Sequence, residues 1–98
     1  MSHFLLFYDL ASDYLERRPL FREAHLGLAW AAVERGELLL GGAVGDPVEA
    51  ALLLFTDEAA ARAFAAADPY VIEGLATGWR VVPWNTVVGA EAANPVRP

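Results

Sequence analysis

Short apolar runs alternate with alanine-rich stretches along the chain, and this alternation predicts the order of its secondary-structure elements. Runs of large apolar residues bounded by glycine, proline or polar residues are typical of strands. Stretches with apolar residues at helical spacing and many alanines are typical of helices. The pattern predicts strands at residues 3–9, 37–42, 50–55 and 77–88, helices at 20–35 and 58–67, and a short helical turn at 69–73.

Signals at the ends of these elements refine the first and last helical segments. Pro19 suits the first turn of a helix, where its missing N–H is not needed, so residues 10–18 are predicted to be a loop. Gly36 ends the first helix. Asp68 followed by Pro69 is a capping signal for the short helical turn. In the second helix the residues predicted to face inward are Ala60, Ala63, Phe64 and Ala67.

The predicted order of elements is therefore β-α-β-β-α-β. Two β-α-β units of this kind form a four-stranded antiparallel sheet with both helices on one face, which is the ferredoxin-like arrangement of the α+β class. The 98 residues suffice for one domain, which we assign to residues 1–89. The segment 90–98 is small, polar and proline-ended, and we predict that it is a flexible tail.

The predicted strands are apolar on both faces, although a sheet with one solvated face alternates apolar and polar residues. In the first strand Phe4, Leu6 and Tyr8 point one way, and Leu5 and Phe7 point the other way. Since two helices cover only one face, the other would expose an apolar patch of roughly 800 Å², as large as one side of a standard protein interface. This predicts a homodimer with sheet-to-sheet packing. The alternative is that the C-terminal tail covers part of the open face.

Composition excludes several classes of function. With 7 Lys+Arg against 13 Asp+Glu the net charge is −6, which disfavours nucleic acid and anionic membranes as partners. The chain has no cysteine, and all its basic residues are arginines, which excludes thiol and lysine chemistry. It has neither the long apolar run of a membrane span nor a signal peptide, so we expect a cytoplasmic protein. The sequence predicts no metal site and no cofactor.

The candidate chemistry centres on His25, which falls on the inward face of the first helix together with Phe21 and Leu28. Its ordinary interpretation is a core histidine bonded to a backbone carbonyl. Arg22 lies one helical turn earlier, so both side chains can reach a common region. Asp68 can accept a hydrogen bond from the imidazole, although an aspartate before proline is also an ordinary helix cap. The two roles of Asp68 are compatible, since it has two oxygens.

Two further residues are candidates for ligand binding. Tyr70 follows Asp68 by two positions and offers a hydroxyl to the same region; its alternative role is that of a packing aromatic residue. Gly42 belongs to the glycine-rich segment 41–45, which is typical of a β-hairpin and allows a ligand close to the backbone. This segment lacks the lysine, serine or threonine of a phosphate-binding loop.

Four segments of the chain together resemble one known family, and they are 22–26 (REAHL), 39–42 (LLGG), 67–70 (ADPY) and 82–84 (VPW). They resemble the YCII-related (YciI-like) family over residues 3–88, and the R-x-x-H and D-P-Y pair is the most specific part. The resemblance implies a dimeric α/β barrel, in which two ferredoxin-like sheets pack face to face, and a His–Asp active site at His25 and Asp68. Related proteins include muconolactone isomerases and dehydrohalogenases, which work without a cofactor.

The sequence and this resemblance together predict a cofactor-independent lyase or isomerase, dehydrohalogenase-like or muconolactone-isomerase-like, acting on a small unsaturated organic acid. His25 acts as general base or acid, Asp68 orients it, and Arg22 pairs with the substrate carboxylate. Tyr70 and Gly42 line the pocket. Two alternatives stay open: a non-catalytic ligand-binding or accessory module that uses the same pocket, and a dimerisation domain in which His25 is fully packed with no adjoining cavity.

Overall fold

A computed structural model describes residues 2–98 of the chain. Within them the elements follow in the order β1 (Phe4–Leu10), α1 (Tyr14–Glu34), β2 (Leu38–Val44), β3 (Ala50–Phe55), α2 (Glu58–Ala67), α3 (Pro69–Ile72) and β4 (Ala76–Pro83). The predicted β-α-β-β-α-β order is confirmed, and α3 is the predicted short helical turn. The bounds of β3 and α2 agree with the prediction to the residue.

The four strands form one antiparallel sheet in the order β2-β3-β1-β4. Leu6 in the central strand β1 lies opposite Leu53 on one side and Val81 on the other, so these three side chains share a face. That face carries the core, because Leu6 and Phe55 are fully buried together with Ala61 of α2. This is the predicted ferredoxin-like fold with its helices on one face of the sheet.

The buried face of α2 differs from the prediction. The residues that the structure buries are Ala61, Phe64 and Ala65, whereas Ala63 and Ala67 are exposed. Alanine occupies positions all around this helix, so only Phe64 indicates which side turns inward. The ring of Phe64 packs against that of Phe55 with centroids 5.4 Å apart, and this contact sets the rotation of the helix.

The helix α1 begins at Tyr14 and not near residue 20, so the predicted loop over residues 10–18 is mostly wrong. Pro19 lies inside the helix, where it removes a single backbone hydrogen bond. The additional turns are held by tertiary contacts: Tyr14 is buried and packs edge-on against Tyr70 with ring centroids 5.8 Å apart. The guanidinium of Arg17 donates to the backbone carbonyl of Glu73 at 2.6 Å. Packing outweighs the local signal of the proline.

The last strand ends at Pro83 and not at residue 88. Thr86 then organises the segment that follows, because its hydroxyl accepts from the backbone N–H of Ala93 at 2.8 Å and its carbonyl accepts from Asn94 at 3.0 Å. The backbone N–H of Val96 donates to Val87 at 2.8 Å, so the chain folds back on itself here.

The face of the sheet opposite the helices is apolar, and we call it the open face. By register it carries Leu5, Phe7, Leu40, Leu52, Leu54 and Val82. Thr86 and residues 88–92 lie at one end of it, where they line a hollow of about 270 Å³ together with His3, Leu54 and Trp84. Leu40 and Trp84 remain 72% and 47% exposed. The segment 88–92, which includes the start of the predicted tail, therefore covers one end of this face and leaves other apolar side chains uncovered.

Candidate active site

A cavity of about 460 Å³ lies between α1 and the side of the sheet formed by β2, β3 and β1. The α1 residues that line it recur every three or four positions, so they form one face of the helix. They are Tyr14, Arg18, Arg22, His25, Leu26, Ala29, Trp30 and Val33. The opposite wall consists of Tyr8, Ala51, Leu53, Tyr70 and residues 38–43. All of the predicted binding residues, Arg22, Gly42 and Tyr70, line this cavity together with His25.

His25 and Asp68 form a hydrogen-bonded pair although 43 positions separate them along the chain. The Nδ1 atom of His25 lies 2.9 Å from both carboxylate oxygens of Asp68. The carboxylate is fully buried, whereas 15% of the imidazole is exposed. The pairing predicted from the sequence is confirmed, and the interpretation of His25 as a core histidine on a backbone carbonyl is wrong.

Asp68 holds several groups at once. Besides His25, its Oδ2 accepts from the hydroxyl of Tyr8 at 2.6 Å, and its Oδ1 accepts from the backbone N–H of Tyr70 at 3.0 Å. The second contact is the helix cap of α3, so the capping and histidine-binding roles do coexist. Because these neighbours are donors, the carboxylate acts as an acceptor and fixes a proton on Nδ1 of His25. The neutral ring then carries its lone pair on Nε2, the form that a general base requires.

Tyr8 supports the pair from behind. Burial raises the pKa of Tyr8 far above its usual range, and the charge of Asp68 and the hydrogen bond to it act in the same direction. The phenol therefore stays protonated and remains a donor to Asp68 at neutral pH. This role of Tyr8 was not predicted from the sequence. The only indication in the sequence was that Tyr8 falls on the inward side of the first strand, where a tyrosine usually serves as a packing aromatic residue.

The imidazole is also held by aromatic rings. The ring of Tyr70 stacks on that of His25 with centroids 3.9 Å apart and an angle of 5° between the planes. Phe64 contacts the imidazole edge-on at 6.1 Å. With Nδ1 bonded to Asp68 and one ring face covered by Tyr70, the orientation of the imidazole is fixed before any ligand enters. Such preorganisation is what catalytic groups need.

The hydroxyl of Tyr70 is buried and has no hydrogen-bond partner in the part of the chain that the structure describes. Burial raises the pKa of Tyr70 and the neighbouring Tyr14 adds to the rise, whereas the positive charges of Arg22 and Arg18 oppose it. The hydroxyl therefore lies within the field of both guanidinium groups. A buried polar atom without a partner costs free energy, which a ligand with a matching polar group would recover.

Tyr14 and Arg18 are site residues that the sequence analysis missed. The guanidinium of Arg18 lies 5.7 Å from the ring centroid of Tyr14. Both residues precede Arg22 at intervals of four, which places them on the same face of α1. This four-residue spacing is visible in the sequence, but the helix was predicted to begin near residue 20, so Tyr14 and Arg18 were not placed on it.

Gly42 lies on β2 at the rim of the cavity and is exposed. A side chain added at this position would meet no atom within 4 Å. At the neighbouring Gly41 it would lie 3.4 Å from the side chain of Leu53. Because Gly41 and Gly42 have no side chains, the rim of the cavity stays open. A side chain at Gly42 would not clash with the protein, so the glycine is not required there for steric reasons.

Neither a metal-binding cluster nor a membrane-spanning helix is found among residues 2–98, the part of the chain that the structure describes. These residues contain no cluster of three or more histidine, cysteine or acidic side chains that could hold a metal ion. In the same range no helix is both long and apolar enough to cross a bilayer.

Comparison with known proteins yields a structural similarity only. No family model and no curated protein matches the sequence. The fold is similar to that of 5-chloro-2-hydroxyhydroquinone dehydrochlorinase (TftG) from Burkholderia phenoliruptrix AC1100, solved in complex with 2,5-dihydroxybenzoquinone. The TM-score is 0.70 at 20% sequence identity, covering 86% of this chain and 94% of that chain. This similarity supports the ferredoxin-like fold independently.

Proposed function

We propose that the cavity is the active site of a cofactor-independent lyase or isomerase that moves a proton on a small unsaturated organic acid. The observation that carries this proposal is the His25–Asp68 pair. Its imidazole is held at 2.9 Å by a fully buried carboxylate and borders a cavity of about 460 Å³. That volume lies within the usual range of ligand pockets.

In the proposed reaction His25 carries out the proton transfer. Neutral His25 takes a proton from a C–H bond of the substrate through Nε2, and the buried charge of Asp68 stabilises the imidazolium that forms. In an elimination, the electron pair of the broken C–H bond becomes a carbon–carbon double bond, and a halide leaves with the electrons of the C–X bond. In an isomerisation, His25 returns the proton to another carbon of the same substrate.

Elimination is the first reaction to test. One protein of similar structure is a 5-chloro-2-hydroxyhydroquinone dehydrochlorinase. In our proposal Arg22 binds the anionic group of the substrate, while Tyr70 and Gly42 line the cavity around it. The exposed guanidinium of Arg22 lies one turn of α1 before His25, so the anion and the reacting carbon are neighbours.

A ligand-binding role without turnover is the second candidate. The unpartnered hydroxyl of Tyr70 favours it, because a bound ligand would satisfy this buried atom whether or not chemistry follows. The protein would then act as a sensor or an accessory module.

The deciding experiment is a turnover assay on chlorinated and unsaturated acids and chlorinated hydroxyhydroquinones, following chloride release and ultraviolet absorbance. Wild-type protein is compared with His25→Gln, Asp68→Asn and the control Arg62→Gln, a change on the exposed side of α2. We expect turnover by the wild type and the control, and a loss of about 100- to 10,000-fold in His25→Gln. Equal turnover in all variants would contradict the proposal. Saturable binding with no turnover of any compound would support the second candidate.

The functional unit in this proposal is a homodimer that packs through the open face of the sheet. Leu40 and Trp84 are 72% and 47% exposed there, and Leu5, Phe7 and Leu52 lie between them on the same face. Light scattering at micromolar concentration tests it. We expect a dimer for the wild type and a monomer for Leu52→Arg, whereas a monomeric wild type would contradict the proposed assembly.

A further inference from the structure

The cavity extends well beyond the reacting group. Arg18, Arg22, His25 and Trp30 line it in this order along α1. At about 1.5 Å of rise per residue, Trp30 lies roughly 12 Å from Arg22 along the helix axis, and His25 lies only about 4.5 Å from Arg22. A compact acid with its anionic group at Arg22 and its reacting carbon at His25 therefore leaves the distal part of the cavity empty.

The two parts of the cavity differ in chemistry. The polar half surrounds the first turns of α1 and consists of Tyr14, Arg18, Arg22 and Tyr70. The apolar half surrounds the later turns and consists of Leu26, Ala29, Trp30, Val33, Leu38 and Leu39. His25 lies at the boundary between the two halves.

Two large apolar residues of the apolar half remain exposed to solvent, although Leu38 in the same half is buried. The side chains of Trp30 and Leu26 are 64% and 39% exposed at its rim. Covering apolar surface of this kind is favourable by about 25 cal/mol per Å². A ligand that reaches Trp30 thus gains affinity that a compact acid cannot gain.

The polar half attracts anions although the chain as a whole carries a net charge of −6. Arg18 and Arg22 both line it, and among the lining residues that the structure describes there is no carboxylate. Asp68 lies behind His25, fully buried and occupied by its own donors. The hydroxyl of Tyr70 adds a buried polar atom that has no hydrogen-bond partner among the described residues.

We infer that the ligand is an amphipathic organic anion. Its carboxylate or phenolate binds between Arg18, Arg22 and Tyr70, its reacting carbon lies at His25, and an aromatic or aliphatic arm about 7.5 Å long reaches Trp30. This inference rests on the proposed function only for the role of His25, since the binding of the two ends involves no proton transfer.

The test is a titration of the full chain with butyrate, hexanoate, octanoate and decanoate, and with neutral octanamide, by isothermal calorimetry. We expect the affinity to rise about two- to fourfold for each added methylene until the apolar half is filled. Octanamide should bind at least about tenfold more weakly than octanoate, because it lacks the charge that the arginines recognise.

Two variants, each with a matched control, test the two halves of the cavity separately. Trp30→Ala should flatten the rise of affinity with chain length, whereas Leu20→Ala, which removes a 77% exposed leucine of the same helix outside the cavity, should leave it unchanged. The double variant Arg18→Gln/Arg22→Gln should abolish the preference for octanoate over octanamide, and Arg62→Gln should retain it.

Three results would overturn the inference: an affinity independent of chain length, equal effects of Trp30→Ala and Leu20→Ala, or a Trp30→Ala variant that changes the oligomeric state but not ligand binding. The last result would mean that the apolar half is a protein contact. All of these tests measure equilibrium binding or assembly. Their outcome is therefore independent of whether His25→Gln loses turnover, which tests the proposed function.

Discussion

The two histidines of the chain lie in contrasting environments on opposite sides of the sheet. His25 bonds through Nδ1 to the buried carboxylate of Asp68 and borders a large cavity. His3 bonds through Nδ1 to the hydroxyl of Thr86 at 2.6 Å, is 4% exposed, and buries its Nε2 without a partner in the described part of the chain. A carboxylate stabilises a positively charged imidazolium and a hydroxyl does not. The partner and the adjoining cavity, more than the imidazole itself, distinguish His25 from His3, and they are the reason that we propose His25 as the general base.

The largest expected difference between the two histidines is in turnover. We expect His25→Gln to lower kcat/KM by about 100- to 10,000-fold, because the general base is removed. His3→Gln should leave kcat/KM within about threefold of wild type and lower the free energy of unfolding by about 1 kcal/mol, the net value of one hydrogen bond. Steady-state kinetics and urea denaturation measure both. A loss of turnover in His3→Gln as large as in His25→Gln would contradict the comparison.

The next largest difference is expected between variants of the two hydrogen-bond partners, Asp68 beside His25 and Thr86 beside His3. Asp68→Asn weakens the contacts to His25, Tyr8 and the cap of α3 together, so we expect the free energy of unfolding to fall by about 2–3 kcal/mol. Turnover should fall about 100-fold as well, since the amide no longer stabilises the imidazolium. Thermal and urea denaturation, with turnover measured well below the melting temperature, separate the two effects.

Thr86→Val is the matched change beside His3, and we expect it to cost about 2 kcal/mol, about 1 kcal/mol for each hydrogen bond of the hydroxyl, without loss of turnover. An Asp68→Asn variant no less stable than Thr86→Val would show that the buried carboxylate is not the organising group that its contacts indicate.

Tyr8, which donates a hydrogen bond to Asp68, should make the stability of the His25 side of the sheet depend on pH. Its pKa is raised in the folded protein by burial and by Asp68, while in the unfolded chain it returns to its ordinary value near 10. Above that pH the unfolded state holds fewer protons, so the folded state loses stability by up to about 1.4 kcal/mol per pH unit for this one group. We expect urea denaturation from pH 9 to 11 to show a steeper loss in the wild type than in Tyr8→Phe. Equal slopes would contradict the buried, protonated phenol.

The smallest expected effect concerns the ring that covers His25. Tyr70→Phe keeps the stacked ring at 3.9 Å and removes only the unpartnered hydroxyl, so stability should stay the same or rise by up to about 1 kcal/mol. The binding of a carboxylate ligand should weaken by a few-fold, because a polar contact is lost. Calorimetry with octanoate and thermal denaturation measure the two changes. A drop in stability would mean that the hydroxyl has a partner in the folded protein.

Much of the fold could be predicted from the sequence because its signals are local. The strand Ala50–Phe55 and the helix Glu58–Ala67 are bounded by residues whose preferences agree with the tertiary structure, as in the capping of α2 by Asp57. The pairing of His25 with Asp68 was also predicted, because His25 fell on the apolar face of the first helix and the resemblance to the YCII-related family implied a His–Asp site with Asp68.

The features that were not predicted depend on contacts between distant parts of the chain. The first turns of α1 form because Tyr14 packs against Tyr70, which no signal near Pro19 reports. Arg18 was not predicted to line the cavity for the same reason. Tyr8 looked like a core aromatic residue, and only the position of Asp68 in space makes its hydroxyl part of the site.

The shared use of Asp68 limits how this protein can evolve or be engineered. One carboxylate caps α3 and also orients the imidazole, so a substitution that adjusts the reactivity of His25 at this position disturbs the chain's folding as well. Directed evolution of a new substrate range should therefore accumulate changes at Arg18, Trp30 and the glycine rim, where side chains can be exchanged without touching that carboxylate. Selection pressure would separate a conserved centre from a variable periphery within a single pocket.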